Sequence, residues 1–314
     1  MVSAQAKIRM ALLRASGQKR FYDDASALHH RLPRHQRASM ARPPRRVRRR
    51  CAVDRWEVHG FPCYTFRPRD GATSDLHVFH LHGGGYVEQV EKHHWQYAAD
   101  LVAQLGCAVT LPVYPLVPHH DHTTTIPMVQ AAYDGVAAGD ERVVVSGDSA
   151  GGALALAIAQ NLRAAGRPQP DRLVLYSPWL DVLLEDPVSE LLDETDPMLG
   201  IAGLREAGRM YAEGSHPRDP LVSPIHADLT GLGPITLFIG TRDVLLPDAR
   251  RFVAQARDAG IEVDYREYPG MFHNWLMQAI PEGREAMNHV ERLLRRPPVS
   301  ARSAPGPGSS PTPG

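Results

Sequence analysis

Cysteine is scarce in this 314-residue chain: Cys51, Cys63 and Cys107 are the whole supply, with no C-x-x-C spacing. Each sits in or beside an apolar, strand-like run, so they read as buried thiols and not as a disulfide frame. Long hydrophobic runs are missing as well, and nothing reaches the length of a membrane span. The N-terminus carries Lys7, Arg9 and Arg14 and no sustained apolar stretch, which argues against a secretory leader. The expectation is a soluble, cytoplasmic protein. Net charge is absent too, 35 Lys+Arg against 35 Asp+Glu, but it is unevenly spread: residues 1–56 hold 15 basic and 3 acidic side chains. The run Arg45-Arg46-Val47-Arg48-Arg49-Arg50 has no interleaved aromatic residues, so it reads as a solvated linker arm and no nucleic-acid partner is expected.

What is present centres on Val143-Val144-Val145-Ser146-Gly147-Asp148-Ser149-Ala150-Gly151-Gly152. A β-branched run that breaks at Gly-x-Ser-x-Gly and passes into an Ala/Leu-rich helical pattern is the signature of a nucleophile elbow. Gly147 and Gly151 flank a residue in strained backbone angles, where a Cβ would meet the neighbouring strand or helix. The strain lifts the Ser149 hydroxyl to a helix N-terminus, whose N–H groups favour developing negative charge.

Around it the chain alternates strand and helix patterns. The N-terminal 3–32 is helical until Pro33 and Pro43-Pro44 break it. Strand runs at about 51–58 and 62–67 form a hairpin around Gly60, and Leu76–Leu81 ends in His82-Gly83-Gly84-Gly85. Helix 92–105, strand Ala108–Leu111, helix 124–138, strand Arg142–Ser146, helix 149–165 and strand Leu173–Tyr176 repeat the β-α unit. That repetition predicts an α/β fold, a mostly parallel sheet with helices on both faces. Between about 184 and 222 charged helical pieces interrupt the alternation, as a cap over the strand ends would. Strand Ile235–Gly240, helix 247–259, strand 262–268 and helix 282–295 complete a body spanning 51–296. The Pro/Gly/Ser-rich 297–314 reads as a disordered tail, and 1–50 as a basic arm forming part of the cap.

A serine hydroxyl needs a basic imidazole, oriented by a carboxylate, to act as a nucleophile. In sheets of this kind the chain order is Ser, acid, His, each on a loop after a strand. Asp243 follows strand Ile235–Gly240, with Asp248 as the runner-up acid, inside the next helix. His216, His226, His273 and His289 follow Ser149, and His273 alone sits in a loop directly after a strand. The N–H groups of Gly83, Gly84 and Ala150 are the candidate donors to an oxyanion. The cluster His119-His120-Asp121-His122 lacks the spacing of a tetrahedral set, His77 and His80 read as strand residues, and no metal is expected. Trp179 fits a pocket wall or plain core equally well.

His82-Gly83-Gly84-Gly85, Gly147-Asp148-Ser149-Ala150-Gly151-Gly152, Asp219-Pro220-Leu221-Val222-Ser223-Pro224, Gly240-Thr241-Arg242-Asp243 and Gly270-Met271-Phe272-His273 together resemble the hormone-sensitive-lipase-like esterases of the α/β-hydrolase fold. The resemblance covers about 55–296. It implies a cofactor-free serine hydrolase acting on carboxylic esters, lactones or acetylated alcohols, often with short acyl chains, and is compatible with a homodimer. Two departures stand out. Gln89 replaces a glycine that commonly closes the oxyanion loop, and Val113-Tyr114-Pro115-Leu116-Val117-Pro118-His119 replaces the usual Asp-Tyr-Arg-Leu-Ala-Pro-Glu. An amidase, or a small-molecule receptor on the same fold, is the competing reading.

Overall fold

Apolar runs bounded by turn residues become eight strands: β1 (Ala52–Val58), β2 (Phe61–Arg67), β3 (Leu76–Leu81), β4 (Ala108–Pro112), β5 (Arg142–Asp148), β6 (Arg172–Tyr176), β7 (Ile235–Gly240) and β8 (Val263–Tyr268). In the computed structural model, which describes residues 2–38 and 41–295, they form one sheet in the order β1-β2-β4-β3-β5-β6-β7-β8. β2 lies antiparallel to β1 and β4, and every other pairing is parallel. β3, β6 and β7 are buried along their whole length, as continuous apolar strands covered on both faces must be. The β1–β2 hairpin turns at His59-Gly60, both at positive φ (50° and 82°), as a two-residue primed turn requires.

The helices are α1 (Ala4–Ser16), α2 (Ala25–Ala38), α3 (Arg45–Arg50), α4 (Lys92–Leu105), α5 (His122–Ala137), α6 (Ala150–Ala164), α7 (Pro187–Asp193), α8 (Ile201–Tyr211), α9 (Leu246–Asp258) and α10 (Pro281–Leu294). They divide the apolar interior in two. One core gathers α5, α6, α8 and α9, and the other gathers α1, α4 and α10. No helix among the described residues is long and apolar enough to cross a membrane.

Two sequence expectations about the N-terminal segment fail. Pro33 does not end a helix but lies inside α2, where burial of Leu28 and Leu32 offsets the intrahelical bond that proline cannot donate. The break comes earlier, at Gly17, which closes α1 in the left-handed conformation (φ 69°). The arginine run is not a free linker either. It forms α3, anchored by buried Val47, with Arg50 on Asp100 at 2.7 Å and Arg69 bonded to the carbonyls of Arg48 and Arg49. The segment 297–314, expected to be disordered, lies outside the described residues.

The first two helices fold back on later parts of the chain, α1 against α10 and α2 against α8. Ser3 binds Glu282 through both its backbone N–H (2.7 Å) and its hydroxyl (2.9 Å). The Lys19 ammonium donates to the Asp193 carboxylate at 2.8 Å, to the Asp193 carbonyl, and to the Leu199 carbonyl at 2.7 Å. The Gly203 N–H donates to the Tyr22 carbonyl at 2.9 Å. Lys19, with Arg14 on the Thr195 carbonyl at 3.2 Å, therefore pins the 193–199 segment to the N-terminal arm. Lys19→Ala is expected to cost about 1–2 kcal/mol, since the side chain is only partly shielded, and to speed limited proteolysis between 185 and 200. Cleavage at the wild-type rate would show that the segment is held by other contacts.

Candidate active site

The β5–α6 junction forces Ser149 to φ 52° and ψ −120°, a region few side chains adopt. The surroundings hold it there. Its N–H donates to the Tyr176 carbonyl at 2.9 Å, and its carbonyl accepts from the N–H groups of Trp179 (2.9 Å) and Gly152 (3.0 Å). A Cβ at Gly147 would lie 2.2 Å from the Gly151 carbonyl oxygen, and one at Gly151 would lie 2.0 Å from that of Leu81, so both must be glycine. Ser149 borders a cavity of about 60 Å³ whose walls include Gly84, Gly85, His273, Met198 and Leu199.

The loops after β7 and β8 bring Asp243 and His273 together. The His273 Nδ1–H donates to Asp243 Oδ2 at 2.9 Å, while Asp243 Oδ1 accepts the Leu245 N–H at 3.0 Å. That fixes the tautomer with a free lone pair on Nε2, facing the cavity. Burial pulls the His273 pKa down, but the charge and hydrogen bond of Asp243, with Asp196 and Asp148 farther away, outweigh it and leave the pKa raised. No hydrogen bond joins Ser149 to His273 among the described residues, a looseness common before substrate binds. Asp248 belongs elsewhere: it binds Arg251 at 3.1 Å, and burial together with the nearby Asp181 charge pushes its pKa up to about 7. His226 faces Asp181, and His289 binds Asp264.

Of the three expected oxyanion donors, Gly83 is already committed. Its N–H donates to Asp148 Oδ1 at 3.0 Å, because the fully buried Asp148 carboxylate sits directly beneath the loop. Asp148 Oδ2 accepts from Asn274 Nδ2 at 2.7 Å, so the same carboxylate ties down the loop carrying His273. The N–H groups of Gly84 and Gly85 have no acceptor among the described residues, and both glycines are at positive φ (118° and 58°). Although burial opposes its ionisation, the imidazoles of His94 and His80 hold Asp148 well below the usual carboxylate range.

His93, His94 and Asp148 bring ligand-type atoms within 4.8 Å of one another. The hydrogen bonds do not suit a metal. His94 Nδ1 accepts the Glu91 N–H at 2.9 Å, so its proton is on Nε2, which faces Asp148 and has no lone pair to give. The His119–His122 cluster is used structurally: Asp121 caps α5, and His122 bridges the Tyr211 carbonyl and Ser215.

Comparison with known proteins gives the family of the fold that carries this geometry. Residues 78–277 match the family model described as alpha/beta hydrolase fold. The chain is 36% identical to the acetyl-hydrolase of Streptomyces hygroscopicus over 72% of its own length and 76% of that protein. The chain belongs to the α/β-hydrolase fold, among its hormone-sensitive-lipase-like esterases. An esterase of Acinetobacter venetianus is 32% identical over 68% of this chain and 72% of its own. A solved esterase of the bacterial hormone-sensitive lipase family superposes with a TM-score of 0.78 at 27% identity, covering 94% of this chain and 99% of that one. This chain is accordingly a carboxylesterase/lipase-like hydrolase.

The two segments that depart from the expected pattern meet in the fold. Gln89 donates from its side chain to the Tyr114 carbonyl at 2.9 Å, and Tyr114 stacks on His82 at 4.0 Å and donates to the His82 carbonyl at 2.6 Å. Gln89 and the 113–119 segment thus brace each other through Tyr114. Trp179 is core: it stacks on Tyr86, donates to the Asp181 carbonyl and is absent from the cavity wall. Sequence reasoning missed Asp148, Asn274, His94 and Asp196. Asp148 and Asn274 directly adjoin Ser149 and His273, but nothing in the motif reveals that they touch each other.

Burial first, and neighbouring histidine charge second, pull the pKa of His82 to about 3 and of His94 to about 4. The unfolded chain binds these protons near pH ~6.5, so stability is complete above that pH and falls as the pH drops toward 4 and then 3. His94→Gln keeps an acceptor for the Glu91 N–H and is expected to take up about one proton fewer on unfolding at pH ~5. Equal proton uptake in variant and wild type, measured from the pH dependence of unfolding, would show that His94 is not buried neutral.

Proposed function

We propose that this hydrolase cleaves short-acyl carboxylic esters, acetylated alcohols or lactones through an acyl-enzyme on Ser149. The observation that carries the reading is the His273–Asp243 pair, tautomer fixed, with its free Nε2 facing the cavity of the strained Ser149. The Ser149 hydroxyl attacks the carbonyl carbon while His273 Nε2 takes its proton, and the imidazolium then gives that proton to the departing alcohol oxygen. Water, activated by the same nitrogen, releases the acid. The tetrahedral oxyanion is received by the unused N–H groups of Gly84 and Gly85 and by Ala150 at the α6 N-terminus, each donor worth roughly 3–4 kcal/mol. Gly83 supports the loop from below instead.

The N-terminal arm and the 184–222 insertion supply the cap walls, through Tyr22, Met198, Leu199 and Leu204. The small cavity they close favours a short acyl group. The three cysteines are free and buried, and burial pushes Cys63 and Cys107 up to about 12, so they are inert thiols that suit a reducing cytoplasm.

Ser149→Ala is expected to lower turnover of 4-nitrophenyl acetate on the order of 10⁶-fold and to abolish organophosphonate labelling, with unfolding unchanged. Undiminished labelling of the variant would remove Ser149 from the reaction. Asp243→Asn is expected to cost about 10⁴-fold in turnover, against little for Asp248→Asn. Since His273 must be neutral to act and its pKa is raised, activity should fall with decreasing pH at a point above the ordinary histidine value of 6.5. An acid limb below 6.5 in the wild type would contradict that assignment.

A further inference from the structure

A second cavity lies against the first. It measures about 270 Å³ and runs between α4 and the chain from Leu276 to Met287, while the cavity at Ser149 measures about 60 Å³. His93 and Gln278 belong to the walls of both, so the two are neighbours across a shared pair of side chains. Resting on the ester-hydrolase reading above, we propose that this larger cavity receives the alcohol portion of the substrate.

The direction of proton transfer decides which half of the ester belongs there. His273 Nε2 returns its proton to the leaving oxygen, so the departing alcohol must extend toward the His273 side of Ser149. Leu276, Met277 and Gln278 follow His273 within five residues and form that side. The walls that enclose the acyl side, Met198, Leu199, Leu204 and Tyr22, come from the cap and contribute nothing to the second cavity.

Its lining describes the alcohol. Tyr97, Leu276, Met277 and Met287 give an apolar body, and methionine adapts to irregular ring systems. Asp100 and Arg284 stand at the more exposed end, where substituents that accept and donate hydrogen bonds would meet them. The fit is to a short-acyl ester of a bulky ring alcohol bearing polar groups at its far end. Gln278, on the shared wall, is held by the Arg9 guanidinium of α1 at 2.8 Å, so the boundary between the cavities is braced by the N-terminal arm.

The test compares ratios of kcat/KM, which a general loss of activity does not move. Met287→Trp and Met277→Trp fill the cavity from two different elements, so one remains informative where the other fails to fold. In the wild type and both variants, 2-naphthyl acetate is compared with ethyl acetate, and 4-nitrophenyl butyrate with 4-nitrophenyl acetate. The naphthyl-to-ethyl ratio is expected to fall at least about tenfold in a folded variant, with the butyrate-to-acetate ratio held. An unchanged naphthyl-to-ethyl ratio in the folded variants, or a fall confined to the butyrate-to-acetate ratio, would overturn the alcohol subsite while leaving the esterase reading in place. A wild type that hydrolyses none of the four esters and is not labelled at Ser149 would overturn the esterase reading and this inference with it.

Discussion

One fully buried carboxylate organises the catalytic end of this protein. Asp148 is the residue before Ser149, and its two oxygens reach the N–H of Gly83 and the side chain of Asn274. Those partners belong to the triglycine loop after β3 and to the loop after β8. Three segments far apart in sequence are thereby held to one rigid point, and each acts within a few ångströms of the others. A loop of three glycines has no side chains with which to hold itself, so its freedom must be removed from outside. Asp148 removes it below and the Gln89–Tyr114 brace removes it at the side.

Burying a charge this completely is costly unless it is hydrogen-bonded and matched. The match is made by polar neighbours, not by a full counter-charge. His94 presents its Nε2–H because its other nitrogen is occupied by the Glu91 N–H, and His80, bonded to Ser146 at 2.9 Å, packs its ring beside the carboxylate. Negative charge under the loop also has a consequence above it. Asp148 adds to Asp243 and Asp196 in raising the His273 pKa, so the carboxylate that holds the triglycine loop also favours the protonated imidazole of His273.

The mostly parallel sheet, the elbow and the pairing of Asp243 with His273 were legible in sequence because each rests on local chemistry: apolar strand runs, obligatory glycines, and a loop directly after a strand. What was not legible depended on contacts between loops. Gly83 reads as an oxyanion donor in a triglycine until the adjacent strand is seen to place Asp148 under it. Pro33 reads as a helix stop, since the burial of Leu28 and Leu32 that overrides it is a tertiary effect. The arginine run looked like a linker because charge was its only visible property, and a single buried valine made it a helix.

Asp196 shows the same logic on the other side of the site. Its Oδ1 accepts the N–H groups of Met198 (2.8 Å) and Leu199 (3.1 Å), which are cavity walls, and its Oδ2 accepts the N–H of Val244 (3.2 Å), the residue after the orienting acid. Ser189 of α7 donates to the Val244 carbonyl at 2.9 Å from the same insertion. The insertion is therefore not a separate cover laid on a finished site. Burial first, then the charge of Asp243, raises Asp196 to about 6, and the backbone donors that satisfy it are the ones that shape the pocket. Because Lys19 holds the Leu199 carbonyl from the opposite side, any shift of the N-terminal arm acts on the wall and, through Asp196, on the loop that carries Asp243. One wall of the Ser149 cavity and the loop of Asp243 are thus hydrogen-bonded to one segment of seven residues, 193–199.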